Sequence, residues 1–159
     1  MHSSVKNTIA KNIVNSNNWH GIDLNSSLKN TVINNTANSN NWSGIALYSS
    51  NNLITKNTAN SNNDTGIYSE NSNSTINSNT VCNNKADFNS SDWLSSSGDN
   101  NVCNTADGWN DTGARGGCRF SCRNGTSVSD ETKNILLALL IILILLILFL
   151  LSRKKRKIK

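Results

Sequence analysis

The stretch Asn30-Thr-Val-Ile-Asn-Asn-Thr-Ala37, followed by Gly44-Ile-Ala-Leu47, decides the fold because its pattern recurs along the chain. Matching triplets begin at Asn7, Asn30, Asn52 and Ser74, so the spacing is nearly constant and shortens by one position after the first copy. Each of the first three triplets precedes a Gly-Ile pair by the same interval, so the change in length falls in one loop. A constant segment with one variable loop is typical of stacked coils. The repeat therefore predicts a solenoid, although the Asn- and Ser-rich composition alone would suggest disorder.

Apolar residues align in four columns when the repeats are stacked, and within each repeat they alternate with polar residues. The columns are Ile9, Val32, Ile54 and Ile76; Ile22, Ile45 and Ile67; Leu24 and Leu47, lapsing to Ser69; and Val14, Ala37, Ala59 and Val81. Alternation at a period of two between closely spaced turns indicates short strands. We expect an all-β, right-handed parallel β-helix of 22–23-residue coils over residues 1–104. A glycine is expected near position 88, where the sequence has Phe88.

One polar column is as regular as the apolar ones. It contains Asn12, Asn35, Asn57, Asn79 and, at the decaying end of the repeat, Asn100. Asparagine tolerates turn conformations and can bond to its own copy in the next coil, so a structural asparagine ladder is expected. The alternative is a row of ligand-binding amides.

The repeat resembles that of NosD-like proteins, which belong to the carbohydrate-binding and sugar-hydrolase β-helix group. The resemblance rests on Asn30–Ala37 with Gly44–Leu47. The segments 99–103, 107–113 and 118–122 resemble the cysteine-bearing ends of such repeats in surface proteins of methanogenic archaea. The NosD resemblance implies periplasmic copper delivery. However, His2, His20 and Met1 are the only imidazole or thioether ligands in the chain, and they do not assemble a copper motif.

The C-terminal part differs in composition from the repeats. We predict a cysteine-containing cap at 105–126, a linker at 127–134, a transmembrane helix at 135–151 and a basic cytoplasmic tail at 152–159. An unbroken run of apolar residues forms the predicted span, which is about long enough to cross a bilayer. The basic tail then places the N-terminal part outside the cell. These features predict a single-pass cell-membrane protein with the membrane as its partner.

The net charge of +5 arises in the tail, which holds six of the fifteen basic residues and none of the ten acidic ones. The remainder carries nine basic and ten acidic residues, so no nucleic-acid partner is expected. No signal peptide precedes the first repeat. This favours an N-terminally truncated piece of a longer chain over a short form that uses an unusual export route.

The four cysteines, Cys82, Cys103, Cys118 and Cys122, are candidates for structural disulfides outside the cytoplasm. Asn100-Asn-Val-Cys103 echoes Asn79-Thr-Val-Cys82 at nearly the spacing of one coil. This echo favours a Cys82–Cys103 bond between adjacent coils and a Cys118–Cys122 bond in the cap, among three possible pairings. A metal site would need a Cys-x-x-Cys motif or a nearby histidine, and the sequence has neither.

Catalytic and binding residues are sparse. Asp23 aligns with Ala46 and Tyr68, so no acidic column forms and enzyme activity is not expected. Asp107, Asn110 and Asp111 could hold calcium but lack EF-hand spacing, and a polar turn is the alternative. No cofactor is predicted. Eight Asn-x-Ser/Thr sequons are candidate glycosylation sites: Asn25, Asn34, Asn41, Asn63, Asn73, Asn89, Asn110 and Asn124.

The aligned Trp19 and Trp42 are candidate glycan contacts, with packing over a turn as the alternative. The sequence thus predicts a membrane-anchored extracellular surface protein with a structural or adhesive role, for which cell-surface glycans are candidate partners. The alternatives are the C-terminal remnant of a β-helix polysaccharide lyase or hydrolase, and a NosD-type periplasmic copper-associated protein.

Overall fold

The computed structural model describes residues 1–70, 73–91, 93, 95–122, 139–142 and 144. Contacts divide the chain into two units, residues 1–122 and residues 123–159. All the strands found among the described residues lie in the first unit. In the second unit, the described residues 139–142 and 144 are helical.

Two parallel four-stranded sheets form the first unit. The first sheet stacks β1 (Thr8–Ala10), β3 (Thr31–Ile33), β5 (Leu53–Thr55) and β7 (Thr75–Asn77). The second stacks β2 (Ile22–Asn25), β4 (Ile45–Tyr48), β6 (Thr65–Ser69) and β8 (Ala86–Ser90). Each strand pairs with the strand two positions later in the chain, so one coil lies on the next. The predicted parallel β-solenoid is confirmed, while its right-handed sense stays a prediction.

A third row of extended backbone completes each coil. It consists of parallel bridges that join Ile13, Thr36, Thr58, Thr80, Val102 and Phe120 in turn. Every coil therefore has three extended segments, separated by three corners. Because neighbouring side chains alternate between the inside and the outside, the predicted apolar columns face inward and form one buried cluster.

The register agrees with the predicted columns as far as Ile67. Ile9 pairs with Val32, Val32 with Ile54, and Ile54 with Ile76. At the next coil Phe88 pairs with Ile67, so Phe88 belongs to the isoleucine column and not to the glycine column. This coil is one residue shorter, which places Asp87 where a glycine was expected.

At the corners after the first sheet and after the third row, a residue in the left-handed conformation precedes the asparagine that bonds to the next coil. At the corner after the first sheet, the left-handed residues are Lys11, Asn34, Lys56, Ser78 and Asn100, with φ values from 54° to 60°. The ladder member is therefore Asn101, which follows Asn79 by one full coil, and the prediction of Asn100 was wrong by one position. Asn100 instead supplies the turn conformation that asparagine tolerates.

The same shift of one residue explains the disulfides. Cys103 follows Val81 by one full coil and enters the core, at 5% exposure, whereas Cys82 aligns with Asn104. Successive side chains point to opposite faces, so Cys82 and Cys103 cannot face each other. The bonds are Cys82–Cys122, with Cα atoms 5.8 Å apart, and Cys103–Cys118, with Cα atoms 5.6 Å apart. The predicted Cys82–Cys103 and Cys118–Cys122 pairs were wrong, and the coil at residues 101–103 exists nevertheless.

The C-terminal end of this unit closes the core with large aromatic residues. Trp109 is 1% exposed and stacks on Phe88, with ring centroids 5.5 Å apart and planes at 12°. Trp93 meets both rings edge-on. The apolar surface at the end of the last coil is thereby covered by indole rings rather than by another coil.

The structure contradicts the predicted membrane span. None of the helical residues that the structure describes forms a helix long and apolar enough to cross a membrane. Most of the predicted span at 135–151, and all of the tail at 152–159, lie outside the described residues. The single-pass membrane localisation and the membrane partner rested on that helix, so both predictions were wrong.

Candidate functional site

An aromatic strip runs along the outside of the second sheet. We use this name for Trp19, His20, Trp42, Tyr48 and Tyr68. Trp19 and Trp42 hold equivalent positions in adjacent coils, and their ring centroids are 4.3 Å apart with the planes at 34°. The two indoles remain 55% and 42% exposed. They therefore stack on each other without covering a core, and one face of the pair is open to solvent.

His20 packs against both indoles of the strip. It is 8% exposed and meets Trp19 and Trp42 edge-on, with ring centroids 5.3 Å and 5.7 Å away. The backbone N–H of Ser43 donates to its Nδ1 at 3.1 Å. Nδ1 is therefore the unprotonated nitrogen, and Nε2 carries the proton that faces the Tyr48 hydroxyl at 3.4 Å.

The strip continues along the sheet through two tyrosines. The ring of Tyr48 lies 6.1 Å from that of His20 and 5.6 Å from that of Tyr68. The Tyr68 hydroxyl donates to Glu70 Oε2 at 3.5 Å. Because Tyr48 and Tyr68 come from different columns of neighbouring strands, their contact is diagonal. Sequence alignment of the repeats grouped only Trp19 with Trp42 and missed the rest of the strip.

Burial and nearby acids set the protonation of the strip. Desolvation lowers the pKa of His20 from its ordinary 6.5, against the opposing effect of the Asp23 and Asp64 carboxylates. Desolvation raises the pKa of Tyr48, and Tyr68, Asp23, Glu70 and Asp64 raise it further. The pKa of Tyr68 is also raised, first by desolvation and then by Glu70. The strip thus presents a neutral imidazole and neutral phenols at neutral pH.

Glycine is required where the chain enters the second sheet. A Cβ atom at Gly44 would lie 2.7 Å from Asn62 Nδ2, 2.8 Å from the Ala37 carbonyl oxygen and 2.9 Å from Ala59 Cβ. The glycine column therefore lets the backbone just after the tryptophans approach the neighbouring coil closely.

The predicted asparagine column forms a continuous hydrogen-bonded ladder inside the corner, which we call the first ladder. Its members are Asn12, Asn35, Asn57, Asn79 and Asn101. Each Oδ1 accepts from both the backbone N–H and the Nδ2 of the member before it, at 2.9–3.1 Å. From Asn35 onward the members are at most 1% exposed. A buried amide whose donors and acceptor are already used is structural, so this column is not a ligand-binding row.

A second ladder, which sequence reasoning missed, follows the third row. Its members are Asn17, Asn40, Asn62 and Asn84, linked in the same pattern. The signal was available, because these residues recur at the same spacing as the first ladder. The richness of the chain in asparagine hid it among many other asparagines.

Both ladders end on a buried aspartate. Asp111 accepts from Asn101 N and Nδ2, Trp109 Nε1 and Arg119 N, at 2.6–2.9 Å. Asp87 accepts from Asn84 N and Nδ2, and from the backbone N–H groups of Asn104 and Thr105. A carboxylate accepts bonds without donating any, so it can terminate a row of amides that would otherwise need another copy. The two carboxylates are therefore structural.

The calcium candidates do not converge on one site. Asp111 is buried with its oxygens already bonded to N–H donors, and Asn110 Oδ1 accepts from Gly117 N at 2.8 Å. Asp107 is exposed in a left-handed turn. Among the sequons, Asn34, Asn41, Asn63, Asn73 and Asn110 are exposed, Asn25 and Asn89 are half-buried, and Asn124 lies outside the described residues. Glycosylation stays a prediction.

The described residues do not offer a copper site. They contain no group of three or more His, Cys, Asp or Glu side chains that could hold a metal ion. All four cysteines are in disulfides. The free nitrogen of His20 is occupied by the Ser43 N–H, and His2 is exposed and contacts Ser3. Copper sites use thiolate, thioether and free imidazole ligands, which this part of the chain does not bring together.

Comparison with known proteins agrees with the fold. No curated protein and no solved structure matches the chain. One family does match, over residues 1–115, and it is described as periplasmic copper-binding protein (NosD). Its description names the periplasm, whereas the sequence had predicted a cell-membrane protein whose N-terminal part is extracellular. The match covers well over half of the chain, and the protein therefore belongs to the NosD family of β-solenoid proteins.

Proposed function

We propose that this protein is a structural β-solenoid module that binds glycans outside the cytoplasm and is not an enzyme. The observation that supports the proposal best is the exposed pair of stacked indoles, Trp19 and Trp42. The apolar face of a sugar ring can lie on an indole and bury its C–H groups there, while its hydroxyl groups bond to neighbouring polar side chains. The strip supplies such groups in the hydroxyls of Tyr48 and Tyr68.

The aromatic side chains of the strip are held in place before any ligand binds, which supports a role in binding. The indoles stand on backbone that is bonded to the neighbouring coil, and His20 is fixed beneath them by its bond from Ser43. A ligand therefore need not order the side chains on arrival, and the entropic cost of binding is lower. The two disulfides fit an oxidising compartment such as the periplasm.

The copper function named in the family description finds no support in the described residues, because their ligands are engaged in disulfides and hydrogen bonds. An enzymatic role has no comparable observation in its favour. The buried carboxylates Asp87 and Asp111 terminate the ladders and accept bonds from backbone and side-chain N–H groups.

Binding of polysaccharides by affinity electrophoresis and calorimetry tests the proposal. The full chain should bind at least one soluble glycan, and Trp19→Ala and Trp42→Ala should each weaken binding about fivefold, since one aromatic contact contributes about 1 kcal/mol. Ile13→Ala is the matched control, because Ile13 is 77% exposed on a different row of the coil. Equal binding by all three variants, or no binding to any glycan, would contradict the proposal.

A further inference from the structure

The charges around the aromatic strip carry an inference that rests on the proposed function and names its ligand class. Asp64 continues the tryptophan column, one coil after Trp42. Glu70 accepts from the Tyr68 hydroxyl at the other end of the strip. Both carboxylates are half-buried. One acid, Asp64, therefore follows the indoles in their own column, and a second, Glu70, lies at the tyrosine end of the strip.

Most lysines of the coils lie on a different part of the surface. Lys6, Lys11, Lys29 and Lys56 are all left-handed corner residues that flank the strands of the first sheet. The charged groups that act on His20 within the described residues are Asp23 and Asp64. The N-terminal ammonium group lies at the first coil, where it donates to the backbone oxygen of Asp23.

One lysine does share the column of the strip. Lys85 directly precedes Ala86, whose N–H bonds to the backbone oxygen of Asp64, so Lys85 is the member after Asp64. It is exposed, and the ion pair found among the described residues joins Arg119 to Asp99 instead. Asp64 therefore lies between Lys85 and the indoles in this column, so the charged side chain next to the rings is negative.

We propose that the aromatic strip binds cationic amino sugars, such as oligomers of glucosamine with free amino groups, in preference to neutral or acidic sugars. Stacked indoles attract a cation through their negative faces, and this attraction grows when the cation is partly desolvated. A sugar that lies on Trp42 brings its ammonium group toward Asp64 in the same column, and the next sugars of an oligomer that follows the strip pass Tyr68 and Glu70. An acidic sugar in the same position would meet like charge, and an acetylated sugar would lose the cation.

The ligands for the test differ in charge. A glucosamine hexamer, its fully N-acetylated counterpart and a uronic acid hexamer are compared by calorimetry at about pH 6, where amines are protonated and carboxylates are ionised. The glucosamine hexamer should bind the full chain at least tenfold more tightly than the acetylated one. The preference should shrink as salt is raised, because the carboxylates are partly exposed to solvent.

Two variants separate charge from stacking. Asp64→Asn and Glu70→Gln should each reduce the preference for the glucosamine hexamer over the acetylated hexamer about threefold or more. Asp107→Asn is the matched control, because it removes an exposed carboxylate from the C-terminal end. If the acetylated or uronic acid hexamer binds as tightly as the glucosamine hexamer, this inference is overturned while glycan binding stands. If no oligomer binds, both are overturned.

Discussion

The repeated coils and the C-terminal end of the solenoid satisfy their buried corner groups in opposite ways. In the coils, each asparagine uses its own copy as donor and acceptor, as Asn57 does between Asn35 and Asn79. At the end there is no further copy, and Asp111 accepts four bonds there without donating any. In the repeated coils, the buried asparagine amides therefore satisfy one another's hydrogen bonds. At the last member of the ladder, a residue that only accepts hydrogen bonds is needed instead.

Apolar packing differs between the same two regions. The coils bury medium-sized residues such as Ile45, Ile54 and Ile67, which contact their equivalents above and below. The end buries the largest side chains, Phe88 and Trp109. Both disulfides reinforce this end, since every cysteine lies at position 82 or later. The C-terminal end is held by disulfides and buried carboxylates, and the coils are held by asparagine ladders. We therefore expect changes in these features to lower the free energy of unfolding by different amounts.

Removal of the longer disulfide should have the largest effect. The Cys82–Cys122 bond joins residues with a sequence separation of 40, for which the chain-entropy relation gives about 4 kcal/mol of stabilisation at 25 °C. The double variant Cys82→Ser with Cys122→Ser should lose about that much in urea unfolding. Removal of Cys103–Cys118, with a separation of 15, should cost about 3 kcal/mol. Non-reducing peptide mapping checks the pairing, and a Cys82–Cys103 peptide would refute this register.

Interruption of the first ladder should have the next largest effect. Asn57→Ala removes the acceptor for Asn35 N and Nδ2 and the donor to Asn79 Oδ1. Because these groups are buried, leaving them unpaired should cost about 3 kcal/mol in unfolding experiments. Asn63→Ala is the control: Asn63 is exposed and its amide bonds to Asn41 at the surface, so the change should stay within about 0.5 kcal/mol. If Asn57→Ala and Asn63→Ala lowered the free energy of unfolding equally, the buried ladder would contribute no more than a surface hydrogen bond.

A change at the end of the ladder should have a smaller effect. Asp111→Asn places one N–H₂ group among four donors and removes the charge that strengthens their bonds. We expect a loss of about 2 kcal/mol, with Asp87→Asn behaving alike at the second ladder. Asp107→Asn, at an exposed turn, should be neutral. If Asp111→Asn leaves the free energy of unfolding unchanged, the end of the first ladder does not need a carboxylate.

The smallest effect concerns pH and the aromatic strip. Burial lowers the pKa of His20 below 6.5, so the folded state resists its protonation. The unfolded chain then binds more protons, and stability should fall as pH drops through 6.5 toward the folded pKa. His20→Asn keeps an acceptor for the Ser43 N–H but does not titrate. Urea midpoints measured between about pH 7.5 and about pH 5.5 should slope less for the variant; parallel slopes would contradict a neutral buried imidazole.

Much of the repeat could be predicted from sequence because each coil obeys the same rules as its neighbours. The spacing of Asn7, Asn30 and Asn52 indicated the register of the strands, and alternation indicated which side chains are buried. The prediction failed where the copies stopped being equal. A one-residue error at Asn100 moved Cys103 to the wrong face and produced the wrong disulfides, since a shift of one position turns every side chain around.

The candidate site could be predicted only in part. Trp19 and Trp42 share a column, so repeat alignment finds them. His20, Tyr48 and Tyr68 belong to other columns and meet their aromatic neighbours through contacts across strands. Repeat alignment also places Asp64 after Trp42 in the same column. Glu70 was missed, because its role depends on its contact with Tyr68.

The sequence by itself determined the coil length, the apolar columns and the asparagine column of this protein, because stacking equal units repeats the same contacts at one spacing. Only the tertiary structure decided where the ladders stop, which cysteines meet and which rings share a surface. These features depend on contacts between residues that are not equivalent, such as Asn101 with Asp111 and Phe88 with Trp109. The repeat spacing does not predict such contacts, because the residues that meet are not separated by one coil length.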